Sequence, residues 1–219
     1  MKKIIKKIFD QNHPPILIAE ISANHNGSFK NAKKLILTAK RNGADIVKLQ
    51  TYEPKNMTID SSKKDFLITS GLWKGHKLWD LYKKAQTPLN WQKELFEYAK
   101  KIKIPCFSTP YDDEGVELLK KLNCKLYKIS SFEMSDLSLV KKICKLKKPV
   151  IISTGLANFS EIEEVYKVAK KAGCKKLIML YCVSSYPAKN EDFNLNNIDI
   201  LNKKFNCEIG FSDHSIDNS

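Results

Sequence analysis

The 219-residue sequence predicts an α/β protein of the TIM-type (β/α)8 barrel class in which the eighth β/α unit is missing. Three observations predict it. Short continuous apolar runs alternate with amphipathic stretches, the pattern of parallel strands buried on both faces. Polar residues close nearly every run at its C-terminal end, where a barrel collects its strand ends on one rim. An open doubly wound sheet would bring only two or three of them to a switch point, and the glycine fingerprint of a dinucleotide fold is absent, since "STGLAN" holds one glycine.

The strands are expected at 16–21, 45–51, 105–109, 126–131, 149–154, 176–183 and 207–212, where the sequence reads "ILIAEI", "DIVKLQT", "PCFST", "LYKISS", "PVIIST", "KLIMLYCV" and "CEIGFS". Helical patterns fill 28–42, 89–102, 113–122, 136–146, 160–172 and 194–204. Gly43 and Gly173 follow two of these helices at the position that favours a left-handed backbone. Asp113 and Ser160 are expected as N-caps, and Ser160 with Glu163 as a capping box. Residues 52–88 form an unusually long connection, of the kind that serves as a lid or binding loop. No linker interrupts the pattern, so residues 1–219 are expected to form one domain. A closed barrel needs about 250 residues, and the predicted strands number seven.

The formal net charge is +14, but Arg41 is the only arginine. The lysines lie on the polar faces of the predicted helices, a solvated surface that attracts anions rather than an arginine-based reader of nucleic acid. Six cysteines without a CxxC pair read as reduced thiols. The basic, apolar N-terminus is cut short by residues 10–12 and resembles no signal peptide, and no apolar run reaches membrane-spanning length. A cytoplasmic chain with no nucleic-acid or membrane partner is the expectation.

Lys48 and Lys128 sit inside otherwise apolar strands, and lysine is seldom buried without a partner. With the hydroxyls of Thr109, Ser131, Ser153 and Ser212 they suit a multiply charged anion; a Schiff-base lysine is the alternative chemistry. Glu20 closes the first strand as a candidate general base. His25 reads as part of the turn Asn24–Gly27, and Glu133 as a second carboxylate or a loop acid. His214, next to Asp213 as its orienting partner, gives half a metal site, since neither His13 nor His76 is placed to complete it.

The stretches "IAEISANHNGS", "ADIVKLQTY", "CFSTPYD", "YKISSFE", "PVIISTG", "YCVSSYPA" and "GFSDHS" resemble, in order and spacing, the sialic-acid-type nonulosonate synthases (the N-acetylneuraminate synthase family). "SANH", the long connection and "SSFE" are most similar to the branch that forms pseudaminic acid. The resemblance implies condensation of phosphoenolpyruvate with a 2,4-diacetamido-2,4,6-trideoxy hexose, or with a neuraminate or legionaminate precursor. It implies a phosphoenolpyruvate pocket of Lys48, Thr109, Lys128, Ser131, Ser153, Ser184 and Ser212. Glu20, Gln50, Glu133 and Tyr186 would face the acceptor sugar, an N-acylated amino sugar, with Glu20 and His214 in the chemistry. His214 would be one of two histidines on a divalent ion, Mn2+ or Mg2+. The family also carries a C-terminal antifreeze-like domain and acts as a homodimer. The chain is accordingly expected to be C-terminally incomplete, and inactive or reduced to anion binding when alone.

Overall fold

The computed structural model describes residues 1–10 and 12–216, and their backbone falls into two compact units. The first spans Ile16–Cys124, with Met1; the second comprises Lys2–Pro15 and Lys125–Ser219.

In the first unit, β1 (Ile18–Glu20), β2 (Ile46–Thr51) and β3 (Cys106–Pro110) pair in parallel, with Glu20 opposite Lys48 and Gln50 opposite Thr109. Helices α2 (Phe29–Arg41), α4 (Leu89–Lys101) and α5 (Asp113–Lys121) alternate with them. Alternation along β2 turns Val47 and Leu49 into a buried cluster with Ile21, Ile36, Leu95 and Ala99, and leaves Lys48 and Gln50 on the other face. The same alternation separates Ser108 from Thr109. Ser108 meets Thr51, hydroxyl to hydroxyl at 2.6 Å, so it does not join the polar set expected at the strand ends. The long connection contains α3 (Leu78–Ala85), which the sequence pattern did not reveal.

In the second unit, β4 (Tyr127–Ile129), β5 (Val150–Ser153), β6 (Leu177–Cys182) and β7 (Glu208–Ser212) are likewise parallel in chain order. Helices α6 (Leu137–Cys144), α7 (Phe159–Lys171) and α8 (Asn196–Lys204) lie between them, and a further short helix, α1 (Lys2–Ile8), belongs to this unit. Every expected strand is present, most of them a residue or two shorter than the apolar runs.

Two helix starts differ from expectation. Asp112, not Asp113, caps α5: its extended backbone lets the carboxylate accept from Gly115 N–H at 2.6 Å. Asn158, not Ser160, caps α7 and forms the capping box with Glu161, whose Oε2 accepts from Asn158 N–H at 2.7 Å. Glu163 is occupied elsewhere, paired with Lys167 at 2.7 Å. Gly43 and Gly173, at φ +89° and +90°, do terminate their helices as expected.

Candidate active site

Each strand end presents its polar residues for a local reason. In the first unit, the parallel register sets Glu20 beside Lys48. Lys48 is only 3% exposed, and its Nζ lies 2.9 Å from Glu20 Oε2 and 3.2 Å from Thr109 Oγ1. A buried ammonium is tolerated when paired and hydrogen-bonded in this way. Glu20 itself is half-exposed and also accepts from the Ser22 hydroxyl at 3.2 Å. Gln50 donates from Nε2 to Tyr111 Oη at 3.1 Å, while its carbonyl accepts from the buried Gln92 amide at 2.7 Å. The first unit thus brings together Glu20, Lys48 and Thr109 as predicted, and adds Tyr111 beside Gln50. Tyr111 stands within "CFSTPYD", and its aromatic hydroxyl next to a strand end was the overlooked signal.

His25 lies in the turn expected of it, and the structure adds that its side chain points inward. It is fully buried, takes Gly27 N–H on Nδ1 at 3.1 Å, and therefore donates from Nε2 to Thr87 Oγ1 at 3.2 Å. Trp91 packs edge-on against the ring, and burial holds the imidazole below its usual protonation range. Its partners lie some sixty residues along the chain, which no local pattern announces.

In the second unit, three loops meet in a tight joint of hydroxyls. Ser131 Oγ accepts from Gly155 N–H at 3.2 Å and lies 3.3 Å from Cys182 Sγ. Gly155 is required there, because a Cβ would collide with Ser184 Oγ and come within 2.5 Å of Cys182 Sγ. Ser212 is in register with Cys182. Ser153 is buried at the end of β5, and its hydroxyl has no hydrogen-bond partner among the described residues. An unsatisfied buried hydroxyl costs about 1–3 kcal/mol, a cost that a bound oxyanion would remove. Lys128 is buried in the middle of β4. Cys182, which the sequence reading treated only as a core thiol, is part of this joint.

Glu133 opens a 3-10 turn (Glu133–Ser135). Burial pushes its carboxyl above the ordinary carboxylate range, opposed by a bond from Ser130 and the charge of Lys128. Its Oε2 has no hydrogen-bond partner among the described residues.

His214 Nδ1 lies 2.8 Å from the Val183 carbonyl, so Nδ1 carries the proton and Nε2 the lone pair. Tyr186 faces that nitrogen, with Oη at 3.4 Å and ring centroids 4.3 Å apart. Asp213 does not orient the imidazole as expected; its carboxylate accepts from the backbone and hydroxyl of Ser215 at 2.8 and 3.1 Å. Turn donors close in sequence outcompete the ring. His214 Nε2 could serve a divalent ion only by giving up Tyr186, and no group of three His, Cys, Asp or Glu that could hold a metal occurs among the described residues. A single imidazole falls short of the donor set that retains such an ion.

Residues 35–219 match the model of the NeuB family. The chain belongs to that family. It is 45% identical over 207 residues to a pseudaminic acid synthase of Campylobacter jejuni, an alignment covering 94% of this chain and 60% of that protein. It is 43% identical over 203 residues to a pseudaminic acid synthase of Helicobacter pylori, covering 93% and 60% of the two chains. Among solved structures, it superposes on an N-acetylneuraminic acid (sialic acid) synthetase of Leptospira borgpetersenii with a TM-score of 0.82 and 31% identity, covering 93% of this chain and 66% of that one. This NeuB chain thus spans about 60% of the length of the two curated relatives. No helix among its described residues is long and apolar enough to cross a membrane.

Proposed function

We propose that this NeuB-family chain carries the phosphoenolpyruvate-condensing part of a nonulosonate synthase, on a (β/α) barrel scaffold, acting in the cytoplasm within a homodimer. The favoured acceptor is a 2,4-diacetamido-2,4,6-trideoxy hexose, the pseudaminic acid precursor. The observation that supports the reading most is Lys48: a buried ammonium fixed between Glu20 and Thr109 at the ends of three strands.

In this reading Lys48 and Lys128 neutralise the carboxylate and phosphate of phosphoenolpyruvate. Thr109, Ser131, Ser153, Ser184 and Ser212 donate to its oxygens. Gln50, Glu133 and Tyr186 orient the open-chain sugar. The enol π pair of phosphoenolpyruvate forms the new bond from its C3 to the aldehyde carbon, whose oxygen takes up a proton. Water adds to the electron-deficient C2 and yields its proton to a base, for which Glu20 is the candidate. The C2–O bond then breaks, releasing phosphate and leaving the 2-keto acid. Fixed cations and hydroxyls contribute by holding both reactants and by stabilising charge that moves between them. Mn2+ or Mg2+ would polarise the aldehyde, but the described residues provide that ion with one nitrogen only, and no step here is routed through it.

The test is phosphate release from phosphoenolpyruvate in the presence of each acceptor. Release with the diacetamido-trideoxy hexose, and far less with N-acetylmannosamine, is expected. Release with no N-acylated amino sugar would overturn the proposal.

A further inference from the structure

The connections β4–α6 and β5–α7 of the second unit enclose a cavity of about 350 Å³. That volume is within the ~300–1,000 Å³ range of small-molecule sites. Ser131 stands on one wall, and Phe132, Leu137, Leu156 and Ala157 supply an apolar lining. Phe132 and Leu156 are 70% and 50% exposed, so two large apolar side chains face water at the cavity mouth. Each follows directly a residue of the hydroxyl joint, Ser131 and Gly155, and Ser131 lines the cavity as well.

The electrostatics argue for a neutral occupant. Glu161 and Glu164 line the cavity, and neither phosphate nor carboxylate would settle beside them. Glu161 already accepts from Asn158 N–H, while Glu164, exposed on α7, is placed to accept from an amide N–H. Apolar walls, the hydroxyls of Ser131 and Ser135 and a carboxylate suit an acylated amino group: a methyl for the walls and an N–H for the acid.

We propose that this cavity is the subsite for the methyl-bearing groups of the acceptor, its acetamido and 6-deoxy substituents, with Phe132 and Leu156 as specificity-determining residues. The proposal rests on the reading under Proposed function, from which its test is separable. It explains why large apolar side chains remain uncovered beside a cluster of hydroxyls, an arrangement that a polyhydroxylated substrate would not reward.

Saturation-transfer NMR with the 2,4-diacetamido-2,4,6-trideoxy hexose reads the contact directly, without turnover. The acetamido and C6 methyl protons are expected to saturate more strongly than the ring protons. Phe132→Ser and Leu156→Ser, both at exposed positions, should weaken sugar binding about tenfold each, with phosphoenolpyruvate affinity unchanged. Methyl saturation no stronger than that of the ring overturns the subsite, as do variants that bind the sugar like the unaltered protein, or no detectable sugar binding at all. Strong methyl saturation without phosphate release would instead retain the subsite and defeat the synthase reading.

Discussion

Gly155→Ala tests whether the hydroxyl joint is built for an anion. The added Cβ would collide with the Ser184 hydroxyl, and lie 2.5 Å from Cys182 Sγ and 2.9 Å from the Cys182 carbonyl oxygen. Carbon packs at about 3.5 Å. The hydroxyl can rotate away, but the carbonyl belongs to the end of β6, so backbone must move. Overpacking of this kind costs about 1–3 kcal/mol, or roughly 2–12 °C in Tm for a domain of this length. The same movement breaks the Gly155–Ser131 hydrogen bond and re-aims two hydroxyls. Loss of one hydrogen bond to a charged group, about 1.5–3 kcal/mol, corresponds to a roughly 10- to 150-fold weaker phosphoenolpyruvate affinity. Gly173→Ala is the control. It forces alanine into a left-handed backbone at φ +90°, with open space around the new methyl, at a helix end away from the joint. Calorimetric titration and thermal unfolding of both variants separate the effects. Equal loss of affinity in the two variants, or none in Gly155→Ala, would refute the reasoning.

Thr109→Val removes one of the two fixed partners of Lys48 at nearly constant volume, and should lower stability by about 1.5–3 kcal/mol in urea titration while weakening phosphoenolpyruvate binding. Glu133→Gln should stabilise the protein at pH 8. A carboxyl whose folded pKa is raised contributes stability below its unfolded pKa and loses it as pH rises through the folded value, so the gain should shrink towards zero near pH 3 in chemical unfolding. His25 behaves oppositely: its lowered folded pKa contributes stability above the ordinary histidine range, lost as pH falls through the folded value. His25→Gln should therefore flatten the stability profile between pH 7 and 5, and an unaltered slope there would assign the acid sensitivity to another group.

The strands were legible because parallel strands buried on both faces write themselves as unbroken apolar runs, and each run here became a strand. Lys48 and Lys128 stood out for the reverse reason, charge inside such a run. What the sequence hid was contact over distance. His25 is the turn residue it looks like, but nothing local announces that Thr87 and Trp91 close around it. Ser108 and Thr109 read alike as strand-end hydroxyls, yet pleating sends them to opposite faces. Where two cap residues competed, as at Asp112 and Asp113 or Asn158 and Ser160, composition did not choose; backbone geometry did. Phe132 and Leu156 were silent, because one apolar residue in a loop carries no pattern until a cavity forms beside it.

The proposal turns on the buried lysines binding a small phosphorylated acid. Isothermal titration of phosphoenolpyruvate into the protein and into Lys48→Met and Lys128→Met measures it most directly. Each variant is expected to bind about 10- to 150-fold more weakly, the worth of one charge-assisted bond. Undiminished affinity in either variant would contradict the account.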